Sequence, residues 1–186
     1  MLDLLPVCPY ILILKNLTVR KKLADKTNFL HSVPQIYYRT GEMLNYFAFG
    51  SNMSAQRMLE RLGWSPSRSG AILLDYQMIF NKHSNDGGKA NIMSSPGNIV
   101  EGILYSVNEE DLFILDKYEG VAAKQYKRHE IEVRNNNKNS ITAVTYKALN
   151  TGNVYAPTEE YLNYILEGKD LLSPRYFAKL KSTKTL

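Results

Sequence analysis

Among its 186 residues the sequence has a single cysteine, Cys8. No intrachain disulfide can therefore form, no cysteine metal cluster can be built, and a reducing cytoplasm is the expected compartment. Histidine is almost as scarce. His31, His83 and His129 stand at none of the spacings that metal-ligating pairs use, so no metal site is expected. Long apolar runs are missing too, and without about eighteen consecutive apolar residues no transmembrane helix is expected. The one candidate targeting segment, residues 6–14, has Asp3 before it and Arg20-Lys21-Lys22 after it, which reverses the charge order of a secretory signal. No small-residue cleavage site is evident, and no internal repeat is found.

What is present is an ordinary globular composition. With 44% hydrophobic, 11% aromatic and 22% charged residues, the chain can bury one good core and is short for two, so one domain is expected. The formal charge of +5 raises the question of a nucleic-acid partner. Residues 1–42 supply more than half of it, with six basic residues against three acidic ones. The basic residues are scattered and not interleaved with aromatics, so neither nucleic acid nor membrane is expected as a partner. Residues 1–42 read as an N-terminal extension, either mobile or translated from a start upstream of Met43, which stands just before the first organised strand. Residues 43–186 read as the functional domain.

Leu44 to Phe49 reads as a strand, and Gly50-Ser51-Asn52 has the small residues of a tight turn. Ser54 is placed to cap a helix over 55–62, with Met58, Leu59 and Leu62 on one face and Gly63 as its stop. Such an entry aims backbone N–H groups and a positive helix end at one spot, where an anion or a developing oxyanion is stabilised. A strand is expected over 71–80, a polar loop over 81–98 with a short strand near 90–93, and a strand over 99–107. Asn108 caps a helix opening with Glu109-Glu110-Asp111, with Leu112, Leu115 and Tyr118 on one face. Alternation over 126–133 and 141–149, about the turn-rich 135–139, predicts a hairpin. Thr158 caps a helix ending at Gly168, and Ser173-Pro174 starts another.

Two segments carry chemistry, Tyr46-Phe47-Ala48-Phe49-Gly50-Ser51-Asn52-Met53 and Leu115-Asp116-Lys117-Tyr118-Glu119-Gly120. Glu119 falls at the negative end of a helix dipole. That position, with burial, raises a carboxyl pKa towards a working range for proton transfer; the competing reading is a solvated glutamate at a helix end. Ser51 suits a hydrogen-bond donor better than a nucleophile, because Phe49 and Met53 stand where the glycines of a Gly-x-Ser-x-Gly elbow would be. Tyr126 and Tyr146 fall in adjacent predicted strands, where their hydroxyls either orient a polar substrate or are satisfied within the core.

Taken together, these segments resemble the gamma-glutamylcyclotransferase family. Its opening Tyr-Phe-Ala-Tyr-Gly-Ser-Asn motif is matched by Tyr46 to Asn52, with Phe49 in place of the second tyrosine. Ser95-Pro96-Gly97, Val100-Glu101-Gly102-Ile103-Leu104-Tyr105, the Glu119 segment and Leu172-Ser173-Pro174-Arg175-Tyr176 follow in family order, so the resemblance covers about residues 44–180. It implies an α+β fold, a small mixed β-barrel flanked by helices. It also implies Glu119 as the catalytic acid/base, and Phe49, Gly50, Ser51, Asn52, Tyr126 and Tyr146 as substrate-binding residues.

The implied reaction cyclises the gamma-glutamyl group of a small-molecule substrate to 5-oxoproline and releases an amino acid or amine, within glutathione metabolism. No cofactor is required, and dimerisation is a family habit that implies a homodimer. Phe49 lacks the hydroxyl of the family tyrosine, so affinity or substrate choice is expected to differ here. Two other functions compete: a non-catalytic module that holds an anionic metabolite at the Gly50 loop, and a hydrolase using Ser51. A carboxylate beside an anion-binding loop weakens anion binding, so Glu119 favours the enzyme.

Overall fold

The computed structural model describes residues 41–186, and the readings made of residues 1–40 lie outside the described residues. The order is β1 (Leu44–Ala48), a 3-10 turn (Ser51–Met53), α1 (Ala55–Leu62), β2 (Arg68–Lys82), β3 (Lys89–Val107) and α2 (Glu109–Tyr118). Then come β4 (Tyr126–Asn135), β5 (Ser140–Ala148), α3 (Glu159–Leu166), a second 3-10 turn (Glu167–Leu171) and α4 (Pro174–Lys181). The five strands close into a barrel in the order β1-β3-β2-β4-β5. It is mixed, because β1 and β5 meet in parallel at Tyr46 and Val144 while the other neighbours are antiparallel. With helices packed around it, this is the α+β barrel that the resemblance implied. The parallel closure is short, and the buried Thr145 reinforces it by donating its hydroxyl to the Phe47 carbonyl at 2.7 Å.

The barrel is filled by Phe47, Val100, Ile103, Tyr105, Val107 and Val133, with Met58, Leu112, Leu115 and Ile165 brought in by the helices. Gly102 sets how closely β3 can pass β1. A Cβ there would stand 2.4 Å from the Ala48 carbonyl oxygen and 2.7 Å from the Phe47 ring, closer than any side chain tolerates.

The expected caps form. Ser54, Thr158 and Ser173 accept from the N–H groups of Arg57, Tyr161 and Tyr176, and Asn108 and Asp111 make a reciprocal capping box. Gly63 stops α1 in the left-handed conformation at φ 74°. Two residues assigned to inner faces lie elsewhere. Leu59 is 37% exposed, because Met58 and Leu62 at i and i+4 define the buried stripe of α1 and Leu59 falls beside it. Tyr118 is 55% exposed at the last residue of α2, where its ring packs instead under the Arg61 guanidinium.

The larger difference is at 81–98. No loop of that length exists: β2 runs to Lys82, β3 starts at Lys89, and both continue as one ladder. Two register breaks explain the polar composition. At the first, Asp75 takes φ 60° and its carboxylate accepts the Gly97 N–H at 2.8 Å, so that residues 95–98 bulge out without ending the strand. At the second, Phe80 and Asn81 together face Ala90, since Ile79 pairs with Asn91 and Lys82 with Lys89. Buried asparagines repair the ladder there. Asn91 donates to the Asn81 side chain at 3.0 Å and accepts the Ala148 N–H at 3.0 Å.

Candidate active site

The second register break positions one wall of a small cavity lined by β1, the first 3-10 turn, β3, the end of α2, β4, β5 and α3. All seven residues singled out from the sequence, Phe49, Gly50, Ser51, Asn52, Glu119, Tyr126 and Tyr146, line it. The turn faces the cavity, whereas the N-terminus of α1 does not lie on it. That helix end is closed by Ser54, whose hydroxyl also donates to Glu167. The expected alignment of a helix end with the site therefore gives way to the turn alone.

Glu119 is the C-cap of α2, its N–H bonded back to Leu115, and its side chain is only 16% exposed. One oxygen is committed. Oε1 accepts from Asn52 Nδ2 at 3.1 Å and from Arg61 Nη1 at 3.0 Å. Oε2 accepts from no described residue. Burial pushes the carboxyl pKa up, while the Arg61 charge and the two hydrogen bonds pull against it; burial wins. Asn52, itself buried, spends both amide protons inside the site, on Glu119 and on Tyr46 Oη at 2.6 Å, and its Oδ1 accepts from Arg61 at 2.7 Å. The Arg61 side chain is 9% exposed and lies over the Tyr118 ring at 4.6 Å.

Four tyrosines surround the carboxylate and divide into two kinds. Tyr126 donates its proton to the Ala90 carbonyl at 3.1 Å, and Tyr146 donates to Asp116 Oδ1 at 2.8 Å with the Leu112 carbonyl at 3.1 Å. Each has one proton and has used it within the protein, so towards the cavity both can only accept. Tyr46 and Tyr161 are the reverse. They accept from Asn52 and from the Ala90 N–H, at 2.6 and 3.1 Å, and the Ser51 side chain is a further hydrogen-bonding neighbour of Tyr161 on the cavity wall, so neither proton is committed to a main-chain or carboxylate acceptor. Burial pushes the Tyr161 hydroxyl up to about 12, so it remains a donor at neutral pH.

Asp116 explains the aspartate of the second motif. It takes a bidentate pair from Arg128, Nε and Nη2 both at 2.9 Å, while it receives Tyr146. Arg61, Tyr46, Tyr161 and Asp116 were not identified from the sequence. Arg57 and Arg61 at i and i+4 give α1 a basic stripe that could have flagged Arg61, and Tyr46 opens the first motif. Tyr161 gives no local signal, because α3 meets the site only through the tertiary fold. Among the described residues, no three His, Cys, Asp or Glu side chains are grouped to hold a metal ion, and no helix is long and apolar enough to cross a membrane.

A closed barrel that encloses an ion-paired glutamate, a Gly-Ser-Asn turn and tyrosines of both hydrogen-bonding senses is the frame of an acid–base site for a small polar molecule. The comparisons with known proteins are more specific. Residues 99–180 match the model of the AIG2-like family. The gamma-glutamylcyclotransferase of Bos taurus is 33% identical over 150 residues, 76% of this chain and 79% of the relative, and that of Homo sapiens is 30% identical over 149 residues with the same coverage. A solved structure of a gamma-glutamyl cyclotransferase superposes with a TM-score of 0.70 at 31% identity, covering 78% of this chain and 90% of the other. The chain belongs to the gamma-glutamylcyclotransferase family.

Proposed function

We propose that this chain is a gamma-glutamylcyclotransferase, an enzyme that converts a gamma-glutamyl amino acid or amine to 5-oxoproline and the free amino acid or amine. The observation that carries this reading is the split of hydrogen-bonding roles around a glutamate with one unclaimed oxygen. A gamma-glutamyl head group is a zwitterion. Its carboxylate suits the Tyr46 and Tyr161 hydroxyls and the Gly50-Ser51-Asn52 turn, while its ammonium suits Glu119 and the lone pairs of Tyr126 and Tyr146.

Glu119 Oε2 then takes a proton from the α-ammonium, because only the neutral amine attacks. The α-nitrogen bonds to the γ-carbonyl carbon, a five-membered ring closes, and the bond from that carbon to the departing nitrogen breaks. Of the two protons the α-nitrogen gives up, one reaches the departing nitrogen through Glu119. The other ends on the released amine, which leaves as ammonium, and the carboxylate is regenerated. Nucleophile and electrophile share one molecule, so holding it folded supplies much of the acceleration. In this reading Arg61 and Asn52 fix Oε1 so that Oε2 faces the substrate, and burial, by raising the carboxyl pKa, makes Glu119 a stronger base.

A panel of gamma-glutamyl amino acids and amines tests the reading. Wild type is expected to form 5-oxoproline from at least one member, and Glu119→Gln to form none. Full activity in Glu119→Gln, or no product from the whole panel, overturns the proposal, and release of glutamate favours a Ser51 hydrolase instead. The reading also takes residues 43–186 as the catalytic domain, in a cytoplasmic enzyme of glutathione metabolism that forms a homodimer. Light scattering during size-exclusion chromatography tests the last point.

A further inference from the structure

Beside the acid–base cavity lies a second one, open to solvent, and Tyr161 lines both. Its lining includes Arg57, Ser84, Asp86, Lys89, Thr158 and Tyr164. The charges in it are unequally satisfied. Lys89 is paired with Asp86 at 2.7 Å and sits over the Tyr161 ring at 4.4 Å, and Glu160 accepts from the Tyr164 hydroxyl at 3.4 Å. Arg57 has no carboxylate partner among the described residues. Its Nε is shut off from solvent with no hydrogen-bond partner, and its guanidinium carbon lies over the Tyr164 ring at 4.4 Å. Its charge acts on both Glu119 and Tyr161, so an anion on Arg57 is within the field of the reacting groups.

A half-buried guanidinium on a cavity wall, stacked on an aromatic ring and with a buried Nε that finds no partner, is suited to an anion, and its planar fork matches a carboxylate. We propose that this second cavity receives the leaving group and that Arg57 determines specificity there by binding a carboxylate on the molecule released. The inference rests on the cyclotransfer reading above. With the glutamyl head in the first cavity, the scissile amide passes Tyr161, and whatever the departing nitrogen carries enters the second. Lys89, already neutralised by Asp86, contributes less.

The test compares gamma-glutamyl-alanine with gamma-glutamyl-ethylamine, which differ by that carboxylate. In wild type, kcat/KM is expected to favour the alanine substrate by roughly tenfold to a hundredfold, the range of a charge-assisted hydrogen bond. Arg57→Met should bring the ratio to within about threefold of unity, and Arg57→Lys, which keeps the charge and loses the fork, should retain part of it. Because the readout is a ratio on one preparation, loss of folded protein does not mimic the effect. A wild-type ratio near unity, or an undiminished ratio in Arg57→Met, overturns the subsite while 5-oxoproline formation from the ethylamine substrate leaves the cyclotransfer standing. No 5-oxoproline from either substrate overturns both.

Discussion

Replacing Arg61 by methionine should move the pH dependence of the enzyme in a direction and by an amount that the site geometry sets. Arg61 Nη1 stands 3.0 Å from Glu119 Oε1, with the two side chains 9% and 16% exposed. Breaking a buried ion pair by removing one partner costs about 3–5 kcal/mol. Residual solvent at Glu119 argues for the lower end, about 3 kcal/mol, and at about 1.4 kcal/mol per pKa unit the carboxyl should rise by about two units. The acid limb of kcat/KM, which reports the essential base in free enzyme, should therefore shift up by about two units. Stability should follow. A carboxyl whose folded pKa lies above its unfolded one contributes most below the unfolded value and loses that contribution as pH rises towards the folded value. Arg61→Met widens that window, so its urea midpoint should go on falling with pH beyond the point at which wild type levels off. The measurements are a pH–rate profile with a gamma-glutamyl substrate and urea titrations across the same range. An acid limb within about half a unit of wild type, with only the plateau lowered, would refute the electrostatic role and leave Arg61 a packing residue.

Other consequences are more local. Gly102→Ala forces a Cβ to 2.4 Å from the Ala48 carbonyl oxygen, so thermal unfolding should show at least the ~1–3 kcal/mol loss of an overpacked core. Asp116→Ala removes one acceptor each of Arg128 and Tyr146, leaving them Glu109 and the Leu112 carbonyl; with Asp116 at 20% and Arg128 at 26% exposure, a loss of about 1–2 kcal/mol in urea is expected, together with a raised KM as Tyr146 is held less firmly. Phe49→Tyr restores a hydroxyl on the cavity wall. A KM lowered by about threefold to tenfold at unchanged melting temperature is expected, as for one added hydrogen bond.

Much of the architecture was readable because its signals are local. A cap needs only a side-chain oxygen three residues before an N–H, which is why Ser54, Asn108, Thr158 and Ser173 could be assigned before any fold was known. Gly50 to Asn52 and Glu119 stood out the same way, as a turn and a helix end, and the family resemblance gave them their expected roles. What escaped depends on contacts far apart in the chain. Residues 81–98 looked like a loop because bulges at Asp75 and Ala90 break the two-residue period that identifies a strand, and because residues such as Ser94 face solvent. Tyr161 reaches Ala90 across 71 residues and Arg61 reaches Glu119 across 58, so neither pattern nor spacing points to them. Barrel closure rests on one parallel pairing at Tyr46 and Val144, too brief to leave any periodic mark.

Ala90 has a consequence of its own. Its N–H goes to Tyr161 and its carbonyl to Tyr126, so a single main-chain unit decides which tyrosine gives a proton to the cavity and which withholds one. That choice is encoded in strand register and not in any side chain. A small residue other than alanine could stand at position 90 and leave the assignment intact, whereas proline would erase half of it by removing the N–H. Deleting one residue of the ribbon would put a neighbouring peptide unit in its place and reassign both tyrosines at once. Part of what this cavity recognises is thus inherited as a count of residues between two strands, a form of information that substitution cannot easily corrupt and that a one-residue gap can.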